Sequence, residues 1–193
     1  LLRGFTNYKN TAGAIYVVRD PRNVVISAAN HFNTSIEESV SRLLSFTNLG
    51  GDVNDTKVAN RIITHLTTWS MHYNSWKILK KKNRYLLIKY EDLTKNTEEV
   101  LIRILDFIYN LINQKYVLDK LKIKNILKTT SFDYVQNLEK EGNFPEKAKH
   151  GEKEGKTFFK YGPKENKKEI LKKVLKEKIE NQLKRDMTEL GYL

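Results

Sequence analysis

An apolar run that stops at an Asp-Pro step constrains this chain more than any other feature of its sequence. Residues 14–19 suit a short strand that is rich in valine and apolar on both faces, and Asp20-Pro21 follows at once. Aspartate suits a helix N-cap, and proline suits the first helical position because an N–H there has no helical partner to lose. The stretch therefore predicts a buried strand that turns sharply into a helix over residues 21–32.

A second stretch repeats this arrangement farther along the chain. The segment "RYLLIKYEDL" (84–93) reads as another buried strand that ends in charged residues. Between the two strands, Ser35 and Glu38 have capping-box spacing, and an apolar stripe predicts a long helix from Lys57 to about Lys82. Buried strands that are separated by helices indicate a parallel α/β sheet.

The remaining segments are predicted from their periodicity and from their glycines. Helices are expected over 96–112, over 117–128, after the turn at 129–132, and from Asn166 to Leu190, where Gly191 closes the last one. Residues 48–56 read as a loop, and residues 140–157, polar and with three glycines and a proline, read as a flexible loop.

Composition leaves several partners open. The 193 residues contain 35 basic and 23 acidic side chains, a net charge of +12. Such an excess suits a nucleic acid, an anionic membrane surface or a phosphorylated ligand, or else a solvated surface without a specific partner. The chain has no cysteine, which excludes disulfides and thiolate chemistry and permits a reducing compartment, so we expect a cytoplasmic protein. No apolar run approaches 18 residues, so no membrane span is expected.

Two patterns that could carry chemistry fail on spacing. The segment "GEKEGKT" (151–157) is one residue short of a phosphate-binding P-loop, and no strand precedes it. Of the four histidines, His65 and His72 lie seven residues apart, which is about 10 Å along a helix and too far for one metal ion. No metal site is expected.

The strand ends carry the more informative side chains, because ligands of open parallel sheets bind at the carboxyl ends of the strands. Arg19 ends the first strand, and Tyr90, Glu91 and Asp92 end the second. The planar donor fork of Arg19 suits a phosphate, and Ser27, eight residues later, could add a hydroxyl. An Arg19–Asp20 pair that only fixes the corner fits the same residues, so both interpretations remain open on physical grounds.

A family resemblance favours the phosphate. "YVVRDPRNVVIS" resembles the 3′-phosphate-binding segment of sulfotransferases that use 3′-phosphoadenosine 5′-phosphosulfate (PAPS). "TTWSMHYNSW" (67–76), "RYLLIKYEDL", "TTSF" (129–132) and "FFKYGPKEN" (158–166) are similar to later family motifs and follow in the same order. The ending "DMTELGYL" is similar to that of bacterial members.

The resemblance implies a P-loop NTPase-like α/β fold and a nucleotide site. Arg19 and Ser27 would bind the 3′-phosphate, and Lys160 and Gly162 would reach the same phosphate from a late loop. Tyr90 would hydrogen-bond the adenine edge, and Thr130 and Phe132 would line the adenine pocket. Residues 140–157 would then be a loop or lid over the site.

This chain departs from the family pattern in four places. The late loop reads Lys160-Tyr161-Gly162 where many members have R-K-G, a following G-x-W-K piece is missing, and the T-V pair of the dimerisation motif is replaced near Lys172-Lys173. The family's 5′-phosphosulfate loop, with its lysine and threonine, and its catalytic histidine belong ahead of the first strand, and nothing before Gly13 resembles them.

We therefore expect one partial sulfotransferase domain over 1–193, whose N-terminal part with the 5′-phosphosulfate loop is missing. It would bind PAPS or its product adenosine 3′,5′-bisphosphate (PAP) weakly or not at all, and would have no catalytic residue of its own. The acceptor, a small molecule with a hydroxyl or an amine, cannot be identified, nor can the oligomeric state. The alternatives are a degenerate remnant that binds a nucleotide or a nucleic acid, although no nucleic-acid motif is present, and a small-molecule kinase.

Overall fold

A computed structural model gives the fold, and it describes residues 9–49, 64–144, 159, 162 and 167–193. Within these ranges the chain forms four β-strands: β1 (Ala14–Val18), β2 (Thr47–Leu49), β3 (Thr64–Leu66) and β4 (Tyr85–Lys89). The same ranges contain nine α-helices: α1 (Pro21–Phe32), α2 (Ile36–Leu44), α3 (Trp69–Lys77), α4 (Tyr90–Lys95), α5 (Thr97–Leu111), α6 (Lys120–Thr129), α7 (Phe132–Lys140), α8 (Lys173–Gln182) and α9 (Lys184–Glu189). Short 3₁₀ helices lie at Ile78–Lys82 and Lys167–Ile170.

The chain divides into two compact units, and the first consists of Leu1–Arg19 and Trp76–Glu165. Its centre is the parallel pair of β1 and β4, whose register sets Val18 opposite Lys89. Val18 and Ile88 are buried in this pair, and Val100 and Ile123 are buried on the helices α5 and α6 that follow. The predicted parallel α/β arrangement is confirmed.

The second unit consists of Asp20–Ser75 and Asn166–Leu193. Its helices α1, α2, α8 and α9 each contribute a side chain that is almost completely buried: Val25, Val40, Ile179 and Met187. The antiparallel pair of β2 and β3 belongs to the same unit.

The local capping signals in the sequence predict the helix ends well. Helix α1 spans the predicted residues, with Pro21 first and the Asp20 side chain accepting from Arg22 N at 3.0 Å. Ser35 caps α2 by accepting from Glu38 N, also at 3.0 Å. Gly191 ends α9 with a φ of 69°, a left-handed conformation that glycine adopts without strain.

The predicted helix from Lys57 to Lys82 is confirmed over Trp69–Lys77, continues as a 3₁₀ helix over Ile78–Lys82, and is wrong at residues 64–68. Residues 64–66 form β3, and the helix α3 starts only at Trp69. The start of α3 at Trp69 has a local cause. Thr68 Oγ1 accepts a hydrogen bond from Met71 N at 3.1 Å and so caps the helix. The predicted loop over 48–56 is corrected as well, since β2 ends at Leu49; the rest of that loop lies outside the described residues.

Two further predictions need correction. The second strand ends at Lys89, and Tyr90 starts the helix α4, whose first turn carries the acidic Glu91 and Asp92 and is favoured by them. The C-terminal helix is broken at Lys172, which is not helical, and again at Leu183. Next to the first break, Leu171 is buried while Val174 is 75% exposed.

Arg22 connects three parts of the second unit. Its guanidinium binds the Asp20 carboxylate through Nε and Nη2, the latter at 2.7 Å, and it also donates to Glu180 Oε1. Arg22 Nη2 further donates to the backbone oxygen of Tyr192 at 2.8 Å. Both members of the Asp20–Arg22 pair are buried, and the hydrogen bond with Asp20 is the main reason why the pKa of Arg22 is raised.

We predict that Asp20→Ala destabilises the chain far more than the loss of an ordinary helix cap. The substitution removes the cap of α1 and leaves a buried guanidinium without its main partner, which costs about 3 kcal/mol or more. Ser35→Ala, which removes only a cap, should cost about 1 kcal/mol. Urea denaturation of both variants measures the difference, and equal losses would contradict the role given to the Asp20–Arg22 pair.

Tyr16 gives a prediction at alkaline pH. Burial raises its pKa from 10.0 to about 12. Because the folded pKa lies above the unfolded one, this contribution to stability is complete below pH 10 and is lost as the pH rises towards 12. Tyr16→Phe cannot ionise, so its free energy of unfolding should fall less steeply over that range than that of the unmodified chain. Denaturation curves across the range measure the slopes, and the exposed Tyr134→Phe, which should keep the original slope, is the control.

Candidate functional site

The register of the parallel strands brings Arg19 and Tyr90 together. Because Val18 is opposite Lys89, the next residue of each strand emerges at the same edge of the sheet. The guanidinium carbon of Arg19 lies 4.3 Å from the centre of the Tyr90 ring. This is a cation–π arrangement, which holds the planar donor fork in a defined orientation at the carboxyl end of the sheet.

Among the described residues, one buried nitrogen donor of Arg19 makes no hydrogen bond. Its Nε atom is buried and has no hydrogen-bond partner in the described part of the chain. The alternative prediction of an Arg19–Asp20 pair is wrong, because the Asp20 carboxylate is bound by Arg22 instead. A buried donor of a charged group that lacks a partner is costly, and an oxyanion that accepts from it would remove that cost.

Thr130 and Phe132 lie on the turn between α6 and α7. Thr130 is exposed, and its hydroxyl donates to the Ile126 carbonyl at 2.7 Å, which leaves the oxygen able to accept. Ser131 caps α7 by accepting from Tyr134 N at 3.3 Å. Phe132 is the first residue of α7 and is partly exposed, so one part of its ring surface remains accessible.

For Ser27 and Gly162 the structure gives a position but no contact with Arg19, and Lys160 is not described. Ser27 lies on α1 in the second unit, with an exposed side chain. Gly162 is partly buried and belongs to no helix or strand. Lys160 lies outside the described residues, as does most of the predicted loop at 140–157. Within its described part, Lys140 is the last residue of α7 and residues 141–142 form a turn.

Phe159, which contacts the Phe132 ring, and three residues that contact Phe159 were not predicted from the sequence. The Phe159 ring meets the Phe132 ring edge-on, with centres 6.1 Å apart, and Gln136 and Glu139 of α7 bind the Phe159 main chain. Phe144 also meets the Phe159 ring edge-on, with ring centres 4.9 Å apart. The available signal was the aromatic residues at the two ends of the polar segment 145–157.

The described part of the chain contains neither a metal site nor a membrane-spanning helix. Within residues 9–49, 64–144 and 167–193, no group of histidine, aspartate or glutamate side chains is arranged to hold a metal ion. None of the helices in that part of the chain combines the length and the apolar character that crossing a membrane requires.

Comparison with known proteins agrees with this architecture. The curated mouse (Mus musculus) protein Sulfotransferase 2A6 is 25% identical to the chain over 104 residues, which is 52% of this chain and 33% of that protein. The chain thus spans about a third of the length of this relative.

Solved structures show the same fold. Mouse sulfotransferase SULT7A1 complexed with PAP has a TM-score of 0.60 at 15% identity, over 91% of this chain and 58% of that one. Retinol dehydratase in complex with androsterone and the inactive cofactor PAP has a TM-score of 0.58 at 16% identity, over 91% of this chain and 47% of that one. Both are sulfotransferase-like structures with a P-loop NTPase-like α/β fold.

The sequence model of a family described as "Sulfotransferase domain" matches residues 7–191. The chain therefore belongs to the sulfotransferase family.

Proposed function

We propose that the chain carries the nucleotide-binding half of a PAPS-dependent sulfotransferase, with Arg19 as the main ligand of the 3′-phosphate. The observation that supports this most is the buried Nε donor of Arg19, which lacks a partner in the described part of the chain. Nε and a neighbouring guanidinium nitrogen together match two oxygens of a phosphate. A PAP-like 3′-phosphate is therefore a chemically suitable partner for this edge of the sheet.

The neighbouring residues have complementary roles in the proposal. Tyr90 supports the guanidinium with its ring, and its hydroxyl is proposed to hydrogen-bond the adenine edge. Thr130 and Phe132 line the adenine pocket, where a partly exposed aromatic ring can stack on the base. Ser27, Lys160 and Gly162 are added as further phosphate ligands from the family resemblance.

The reaction in the proposal is transfer of a sulfuryl group, supplied by PAPS, to a hydroxyl or amine of a small acceptor. In this family a histidine takes the acceptor proton and a lysine stabilises the leaving phosphate. Residues that match them are not found in the 193-residue sequence. We therefore propose that transfer depends on residues outside this sequence, and that the complete protein is cytoplasmic and needs no metal.

The net charge of +12 supports a second candidate, a remnant that binds nucleic acid. Such binding would depend on many phosphate contacts and would weaken steeply with salt. A salt-dependent complex with plain duplex DNA that Arg19→Ala leaves unchanged, together with no response to PAP, would favour this candidate over the nucleotide site.

We predict that Arg19→Ala weakens PAP binding selectively. The isolated chain should bind PAP weakly, in a range that NMR titration with millimolar nucleotide can measure. Loss of a charge-assisted contact to the 3′-phosphate should lower that affinity by about tenfold or more, since hydrogen bonds to charged groups contribute about 1.5–3 kcal/mol. Binding of adenosine 5′-monophosphate, which has no 3′-phosphate, should change much less.

Arg103→Ala, an exposed arginine on α5, is the matched control because it changes the net charge equally. If Arg19→Ala weakened both nucleotides to the same extent, or if Arg103→Ala weakened PAP as strongly, Arg19 would not be the 3′-phosphate ligand.

We also predict that the purified 193-residue chain transfers no sulfate. Incubation with PAPS and a set of phenol, sugar and amine acceptors should release no PAP above the rate without protein. Measurable transfer would show that the chain contains its own catalytic residues and would overturn the proposed need for others.

A further inference from the structure

The link between α5 and α6, residues 112–119, is held against α5 by two contacts of Tyr116. Its ring stacks on the ring of Tyr109, with centres 4.5 Å apart and planes inclined by 22°. Its hydroxyl donates to Asp106 Oδ1 at 2.8 Å. Asn113 turns the chain out of α5 with a φ of 51°, a left-handed conformation that asparagine adopts more readily than most residues. The link is therefore a defined surface of the first unit.

Two aliphatic side chains next to Tyr116 are exposed. Val117 is 94% exposed, and Leu121, in the first turn of α6, is 69% exposed. Ile123 of the same helix is only 5% exposed, so α6 packs along one face and presents the other to solvent. A single exposed aliphatic side chain is common, but exposed apolar groups that occur together mark interaction sites.

Exposed lysines accompany these aliphatic side chains. Two of them are next to Leu121 in sequence, two more follow it by three and seven residues on the same face of α6, and a fifth precedes Val117 by two residues. Asp119 is the only acidic residue in the sequence 112–128, so this segment has a net charge of +4, from five lysines and one aspartate. We name the following surface the α6 patch: Val117, Leu121, Lys115, Lys120, Lys122, Lys124 and Lys128.

Val174 of α8, which is 75% exposed, shows what distinguishes the α6 patch. The lysines beside Val174 approach carboxylates: Lys172 Nζ lies 2.9 Å from Glu37 Oε1, and Lys173 Nζ lies 3.9 Å from Glu177 Oε1. The positive charge there is balanced, whereas in the α6 patch one aspartate is set against five lysines. Val174 is therefore a reference position with similar exposure and a different charge environment.

We propose that the α6 patch binds the surface of an anionic phospholipid membrane. Val117 and Leu121 enter the boundary between headgroups and acyl chains, and the lysines bind the anionic headgroups. A nucleic acid would also attract the lysines, but it offers no apolar phase to two aliphatic side chains. The Tyr116 ring, which could otherwise stack on a base, is already stacked on Tyr109. No residue of the proposed nucleotide site takes part, so this inference is independent of the proposed function.

Cosedimentation with vesicles tests the charged part of the patch. The unmodified chain should sediment with vesicles of phosphatidylcholine and phosphatidylserine and much less with phosphatidylcholine alone, and salt should weaken the binding. Lys122→Gln combined with Lys124→Gln should lower the affinity by about tenfold or more, since each lysine near an anionic surface contributes about fivefold. Lys95→Gln combined with Lys184→Gln changes the net charge equally at exposed positions outside the patch, and it should have little effect.

A second set of variants tests the apolar part. Val117→Ser combined with Leu121→Ser should lower vesicle affinity by about fivefold or more, because two aliphatic side chains no longer leave water. Val174→Ser is the matched control and should leave the affinity unchanged. All three positions are exposed, so the variants should unfold at the same urea concentration as the unmodified chain, which separates binding from stability.

Fluorescence quenching gives a readout of depth. The indole of Leu121→Trp should be quenched by brominated lipids in phosphatidylserine vesicles, beyond the quenching of Trp69 and Trp76 in the unmodified chain. Val174→Trp should show no such additional quenching.

Four outcomes would overturn the inference. The first is that the unmodified chain does not bind phosphatidylserine vesicles, and the second is that the serine variant of Val117 and Leu121 binds them as strongly as the unmodified chain does. The third is an equal loss from the control pair at Lys95 and Lys184, which would show that binding follows net charge alone. The fourth is tighter binding to duplex DNA that the glutamine pair abolishes and the serine pair leaves unchanged, which would assign the lysines to a nucleic acid.

Discussion

The Asp20 carboxylate accepts from the backbone N–H of Arg22, at 3.0 Å, and from two nitrogens of the Arg22 guanidinium. This buried carboxylate has two roles: it caps α1, and it neutralises the buried guanidinium of Arg22 in the second unit. Removing either partner would leave an uncompensated charge in a dry environment. Asp20 is the acidic residue next in sequence to Arg19, and Arg22 occupies its carboxylate. The Nε donor of Arg19 is therefore available for another partner.

In the first unit the equivalent constraint is the register of the parallel strands. A shift of one residue would separate Arg19 from the Tyr90 ring and would move each buried side chain of β1 to the opposite face. The chemistry proposed for this member of the sulfotransferase family thus depends on the backbone hydrogen bonds between β1 and β4. Specificity for the 3′-phosphate is proposed to come from a single guanidinium that the ladder and the aromatic ring orient.

Local signals account for what the sequence predicted correctly. The Asp20-Pro21 step, Ser35 and Gly191 each determine the structure of a few neighbouring residues, and the helix ends at these points agree. The pairing of β2 with β3 was missed because it joins segments that are distant in sequence, and Leu66 fits a helical stripe as well as a strand. Positions at and after the strand ends indicated Arg19, Tyr90 and Ser27, and the family resemblance supplied the other site residues; all their roles are proposals. The bonds from Gln136 and Glu139 to the Phe159 main chain have no local sequence signature, because the partners lie 23 and 20 positions apart.

The Arg22 network has a consequence for the order in which this chain can fold. Its contacts with Glu180 and Tyr192 span 158 and 170 positions, so during synthesis the arginine emerges long before two of its partners exist. Contacts of such sequence separation slow folding, because the intervening chain must first be brought together. Asp20, only two residues away, gives the guanidinium a partner from the moment of its synthesis. The second unit can therefore complete the Arg22 network only after Tyr192 has been made.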